Sequence, residues 1–297
     1  MIQIKRILVP VDFSEPSKKA VNYGLSLALQ FDAELLLANI VPFDKDLYEK
    51  AKVKLFELIP RDVWERLDFE TIVKSGDVRD EILGIVNDRQ VDLVVMGSHG
   101  RGYFQRMVLG SVTERMLRKL PVPVLTVSHL DAAHLIHTPG VVPLKRILYA
   151  SDLGGDSDTG LQFAVRLARG LDAHLTVVHV IDPMATGFLN EQTVGYEPEY
   201  AAKLRAEAAE YLNRFVTVQS DGSVPITTAL GEGTPSVVIN DVAAESKADL
   251  IVINLHGKGA IERALLGSTA ERVIRTAALP VLALPLPATY ASRWMAA

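Results

Sequence analysis

A chain of 297 residues, 48% hydrophobic but only 6% aromatic, has room for one large or two ordinary domains, and its aliphatic bias suits a sheet covered by helices. A net charge of −5 argues against a nucleic-acid or anionic-membrane surface, and no apolar run is long enough to span a bilayer. With no cysteine there are no disulfides, no thiol nucleophile and no cysteine metal site. The composition fits a cytoplasmic protein, and the N-terminus is expected to enter a strand directly, without a signal peptide.

Residues 5–12 form a short apolar run that ends in the carboxylate Asp12. Ser14 is a good N-cap with Pro16 in the first turn, and Ala20, Gly24, Leu27, Ala28 and Phe31 follow at helical spacing. Residues 35–41 read as a buried strand and 46–57 as a charged helix. The stretch 46–61 is taken as a solvated face, with a lid as the alternative. Strand 69–74, helix 78–87 and strand 91–96 come next. Then comes a glycine loop, Gly97, Ser98, His99, Gly100, Arg101 and Gly102, and a Gly110–Ser111 turn opens a helix over 111–119. A fifth strand covers 123–127.

The series then repeats. Residues 145–152 copy 5–12 at an offset of 140, and Asp249 to Gly259 and Gly267 to Arg272 copy the glycine loop and helix start at an offset of 157. The change of offset puts roughly 17 extra residues in the second copy, expected in the polar stretch 182–198. The second copy's other strands fall at 175–181, 226–230, 250–253 and 281–284. The expected units are a first domain over 1–130, a linker 131–143, a second domain over 144–288 and a tail 289–297.

Apolar strands alternating with helices predict an α/β fold, a doubly wound parallel sheet in each copy. If strands 1 and 4 are neighbours, the order is 3-2-1-4-5, and Asp12 and the glycine loop face one crevice at the switch point. The spacing G-x2-G-x9-G-S (Gly97, Gly100, Gly110, Ser111) lets backbone approach a ligand and offers the free N–H groups of a helix start, an anion cradle suited to phosphate. Arg101 and Arg106 add charge. An ionised Asp12 is acceptor-only and suits a hydroxyl or amino group. No G-x4-G-K-[ST] occurs, and the loop follows strand 4, so neither a P-loop nor the usual dinucleotide fingerprint is present.

This pattern resembles the universal stress protein family over nearly the whole chain. The resemblance implies two tandem five-stranded domains paired through strand 5 as an internal pseudo-dimer. It also implies an adenine nucleotide, ATP or else ADP or AMP, with Mg²⁺ as an optional companion. Asp12 and the backbone near Ile40 would lie against adenine and ribose. Gly97, Gly100, Gly110, Ser111 and Val112 would hold phosphates, and Met96 and His99 would flank the loop. Pro10, Val11, Arg101, Gly102 and Thr113 complete the first set. The second set is Ala150, Ser151, Asp152, Val180, Asn254, His256, Gly257, Gly267, Ser268 and Thr269.

The second copy departs from the pattern. Asn254 replaces the first glycine, Leu255 replaces Ser98, Ala270 replaces Thr113, and Ala150 and Ser151 replace Pro10 and Val11. Asn tolerates positive φ, but its side chain could occupy ligand space, so the first site is expected to bind better. No catalytic residue emerges, and slow ATP hydrolysis is left open. His129, Asp131, His134 and His137 read as a solvated linker rather than a metal site. The expected function is a nucleotide-responsive regulator or protective factor in the stress response. The alternatives are an ATP-cleaving or adenylyl-transferring enzyme and a nucleotide-free interaction module. Two chains are expected to associate through strand 5 edges or domain faces.

Overall fold

The computed structural model describes residues 3–98, 109–128, 142–182, 198–256, 266–285, 290–291 and 294. The first half runs β1 (Arg6–Pro10), α1 (Glu15–Phe31), β2 (Glu34–Val41), α2 (Lys45–Glu57), β3 (Phe69–Ser75), α3 (Val78–Asp88), β4 (Leu93–Gly97), α4 (Ser111–Lys119) and β5 (Val124–Val127). The second half repeats it as β6 (Arg146–Ala150), α5 (Ser157–Leu171), β7 (His174–Ile181), α6 (Pro198–Gln219), β8 (Ile226–Glu232), α7 (Pro235–Glu245), β9 (Leu250–Asn254), α8 (Ser268–Thr276) and β10 (Val281–Leu284).

Each half is parallel with strand order 3-2-1-4-5, the order expected if strands 1 and 4 are neighbours. β1 lies beside β4, with Leu8 opposite Val94, which places the switch point between them. The two sheets are not separate. β5 and β10 pair antiparallel, Thr126 opposite Val281 and Leu125 opposite Leu282, giving one ten-stranded sheet. Thr126 Oγ1 donates to the Val281 carbonyl (3.1 Å) across this seam. The pairing uses the strand 5 edge of each half, so these edges are not open to a second chain, contrary to the expectation of association through them.

The continuous apolar strands serve two cores, because successive side chains point to opposite faces. Ile7, Val9, Leu35 and Leu37 face α1, α2, α5 and α6, whereas Leu8, Leu36 and Ala38 face α3, α4, α7 and α8. The helices start and stop by local chemistry. Ser14 caps α1, Asp44 Oδ1 accepts from the amides of Asp46 (2.9 Å) and Leu47 (3.0 Å) ahead of α2, and Asp32 and Asp172 end α1 and α5 in left-handed conformation. The buried Asp92 carboxylate accepts from the amides of Lys5 (2.8 Å) and Arg6 (3.0 Å), pinning the entry to β1, and Asp249 does the same for Lys145 and Arg146.

The extra residues of the second copy fall between β7 and β8, where the change of offset puts them. Some lengthen the crossover helix, 22 residues in α6 against 13 in α2. The rest fall in 183–197, outside the described residues. Beyond β10, Tyr290 and Trp294 are fully buried and pack on Phe163 of α5, with ring centroids 5.6 and 4.6 Å away. Among the described residues, no helix is long and apolar enough to cross a membrane.

Candidate functional site

The first crevice opens where β1 and β4 end. Val11 extends the ladder past β1, its amide donating to the Ala38 carbonyl (2.7 Å). Asp12 follows, half-buried, and its Oδ1 accepts from the amide (3.0 Å) and hydroxyl (2.6 Å) of Ser14. That tight turn holds Phe13 at φ 64°, a left-handed conformation that costs a bulky residue about 1–2 kcal/mol. The Lys54 ammonium sits 5.6 Å from the Phe13 ring centroid, so α2 borders the crevice. From β2, the buried Asn39 donates through Nδ2 to the Val11 carbonyl (2.6 Å), and Ile40 lies half-buried beside it.

Across the crevice, Gly97 ends β4. A Cβ there would lie 2.8 Å from the Pro16 Cβ and 2.9 Å from the Pro16 carbonyl carbon. Its carbonyl accepts from Thr113 Oγ1 (2.8 Å). The buried Ser98 accepts from the Gly110 amide (2.9 Å), which closes the neck of the loop between them. Gly110 is then the N-cap of α4 at φ −61°, ψ 139°, with no side-chain cap. Any residue adopts that conformation, and Ser, Asp or Asn would cap the helix better by a few tenths of a kcal/mol. Among the described residues no side chain caps this helix start, whose first N–H groups carry its partial positive charge.

The second crevice keeps this plan. Asp152 Oδ1 accepts from the Gly154 amide (2.9 Å) and Ser157 Oγ (2.7 Å), and Leu153 is left-handed at φ 55°. His179, at the position of Asn39, places Nδ1 2.9 Å from the Ser151 carbonyl. A carbonyl only accepts, so Nδ1 carries the proton. The Gly267 amide donates to the Leu255 carbonyl (2.8 Å), and Gly267 caps α8 bare at φ −61°, ψ 136°. Behind the crevice, Tyr149 donates to the Ser157 carbonyl (3.0 Å). Burial pushes the Tyr149 and Tyr290 phenols well above the usual range. These tyrosines stay protonated in the fold while the unfolded chain ionises near about pH 10, so the native state holds more protons and stability falls as pH rises from there. Urea unfolding between about pH 8 and about pH 11 checks this, and replacing both tyrosines by phenylalanine is expected to flatten the decline.

The family profile described as the universal stress protein family matches twice, over residues 3–128 and 143–285. The chain belongs to the universal stress protein family. Universal stress protein MJ0531 of Methanocaldococcus jannaschii is 34% identical over 143 residues, 48% of this chain and 83% of that one. The universal stress protein E homolog of Haemophilus influenzae is 29% identical over 216 residues, 68% of this chain and 65% of that one. Among solved structures, a universal stress protein from Archaeoglobus fulgidus DSM 4304 superposes with TM-score 0.66 at 23% identity, covering 96% of this chain and 97% of that one. The last likeness establishes the fold.

Within this universal stress protein fold, Pro10, Val11, Asp12, Ile40, Gly97, Gly110, Ser111, Val112 and Thr113 converge on the β1–β4 end. Met96 is 4% exposed and belongs to the core face with Leu8 and Val94. His99, Gly100, Arg101, Gly102, Arg106 and Gly257 lie outside the described residues, as do His129, Asp131, His134 and His137. Ala150, Ser151, Asp152, Val180, Asn254, His256, Gly267, Ser268 and Thr269 converge in the second half. Asn39 and His179, which steady the turn after strand 1 in each half, escaped the sequence reading. A polar residue inside an apolar strand is the signal that would have found them. Among the described residues, no cluster of His, Asp and Glu could hold a metal ion.

Proposed function

We propose that this universal stress protein binds an adenine nucleotide in the first crevice and acts as a nucleotide-responsive regulator or protective factor. The bare α4 start carries the reading. Glycine at an N-cap whose backbone does not need it sacrifices helix stability, and the family motif gives the reason, since a phosphate can take the place of a capping side chain. The Asp12 carboxylate across the crevice supplies an acceptor for ribose hydroxyls, and the half-buried Ile40 supplies an apolar wall for the base. The resident nucleotide is ATP, ADP or AMP, and Mg²⁺ would accompany the polyphosphates. Occupancy then reports cellular nucleotide levels by stabilising the folded state through mass action.

Gly110→Val tests the reading. Valine adopts the Gly110 backbone conformation, so the fold should persist while its side chain covers the helix start. Calorimetric titration with Mg-ATP is expected to show nanomolar-to-micromolar binding to the first crevice of the unaltered chain, weakened at least about tenfold in the variant, or 1.4 kcal/mol. No binding to the unaltered chain, or an unchanged first-crevice affinity in Gly110→Val, overturns it.

A further inference from the structure

Asn254 is the point at which the second crevice departs most from the first, and the structure shows where its side chain goes. In the first half, α1 starts at Glu15 and Pro16 fills the room left by Gly97. In the second half, Gly155 stands at the position of Glu15, but α5 starts only at Ser157, two residues later. The unwound turn makes space for the carboxamide. Asn254 Nδ2 donates to the Asp156 carbonyl (3.2 Å) and lies 3.4 Å from the Tyr149 hydroxyl. That hydroxyl has already given its proton to the Ser157 carbonyl (3.0 Å), so it accepts from Asn254.

Three further positions change with it. Val9, Ala20 and Gly24 of the first half become Tyr149, Gly160 and Ala164 in the second. A Cβ on Gly24 would lie 2.6 Å from Val9 Cγ2. A Cβ on Gly160 would collide with the Tyr149 hydroxyl and lie 2.6 Å from Asn254 Oδ1. The small residue has moved one helical turn, from under Val9 to under Tyr149 and Asn254. The carboxamide is thus stowed between β9 and α5, held by groups that exist only in this half.

We propose that Asn254 is a positioning residue of a working second nucleotide crevice. Stowed by Tyr149 and Gly160, it holds the Asp152–Asp156 turn through the Asp156 carbonyl and leaves the ligand space clear. The inference rests on the nucleotide reading of the first crevice. It replaces the expectation of a second site weakened by its asparagine. Two retained features fit it: the bare Gly267 cap and the Leu255–Gly267 neck match their first-half counterparts.

The test is native mass spectrometry and calorimetry of the full chain with Mg-ATP. With Mg-ATP held between the unaltered and the weakened first-crevice affinity, the unaltered chain is expected to bind two equivalents and Gly110→Val one. In the Gly110→Val background, Gly160→Ala should displace the carboxamide and weaken the remaining site at least tenfold. Gly160→Ala alone should leave the first crevice unchanged, an internal control for folding. Tyr149→Val, Gly160→Ala, Ala164→Gly and Asn254→Gly together install the first half's set and should restore two equivalents. One equivalent for the unaltered chain and none for Gly110→Val overturns the inference and leaves the first-crevice reading standing. An unweakened second site in Gly160→Ala, or no rescue by the four changes together, also overturns it. No equivalent for the unaltered chain overturns the first-crevice reading itself.

Discussion

Trp294→Ala is expected to lose about 3–5 kcal/mol of stability, a large part of the 5–15 kcal/mol that holds a typical domain together. Trp294 is 1% exposed, lies tilted over Phe163 and shares that ring with Tyr290. It also walls a small apolar cavity on the seam between the halves. All the rest of the lining but Leu171 pairs by the internal repeat: Ile4 with Leu144, Leu27 with Leu167, Leu93 with Leu250 and Leu125 with Leu282. Truncation therefore enlarges an existing void instead of letting neighbours collapse, which puts the cost toward the upper part of the range. One contribution opposes it. Among the described residues the buried indole N–H has no hydrogen-bond partner, and removing it relieves about 1–3 kcal/mol of desolvation. Trp294→Phe separates the two effects, since it keeps most of the bulk and deletes the N–H. It is expected to stay within about 1.5 kcal/mol of the unaltered chain. Urea midpoints at constant m-value check both variants, and a loss under about 1 kcal/mol for Trp294→Ala would place the indole outside the core.

Position along the chain explains why that contact was not legible in sequence while others were. The apolar runs of β1, β2, β4 and β5 and their copies announce buried parallel strands, because a strand covered on both faces has no polar alternation. Asp12 and the glycine spacing fall after strands 1 and 4, and that placement points to a crevice between them once the two strands are taken as neighbours. Tyr290 and Trp294 sit in a short segment after the last strand, without periodicity, and only the packed α5 surface gives them a role. The seam lies between the two cases: Val124 to Val127 reads as a strand whose open edge nothing local assigns, and the family resemblance alone implied its pairing with strand 5 of the other half, β10. The delayed start of α5 depends on Tyr149, Gly160 and Asn254 meeting across 105 residues, which no window of sequence contains. Gly97 was legible as a glycine with a purpose, and the structure adds a neighbour that the sequence did not name. A missing side chain marks a close approach without saying what approaches, and here Pro16 takes the room.

Gly97→Ala turns that distinction into a measurement. The added methyl meets Pro16 Cβ at 2.8 Å, the Pro16 carbonyl carbon at 2.9 Å and the Ser17 amide nitrogen at 3.1 Å. Two of the three are backbone of the first turn of α1, so no side-chain rotation relieves the contact, and α1 must move away from β4. Overpacking of this kind costs about 1–3 kcal/mol. The same shift displaces the Asp12–Ser14 turn, which is tied to α1 through the Ser14 cap. Nucleotide affinity at the first crevice is therefore expected to fall about tenfold or more, although the new methyl faces the helix. Gly84→Ala is the matched control. It lies inside α3 with nothing within 4 Å of its Cβ position, and is expected to gain up to about 1 kcal/mol from helix propensity with no change in binding. If Gly97→Ala weakens nucleotide binding at unchanged stability, the methyl meets ligand and not helix. If stability and affinity fall together while Gly84→Ala rises, the glycine at the end of β4 is there to seat α1, and the crevice depends on it through the turn that α1 carries.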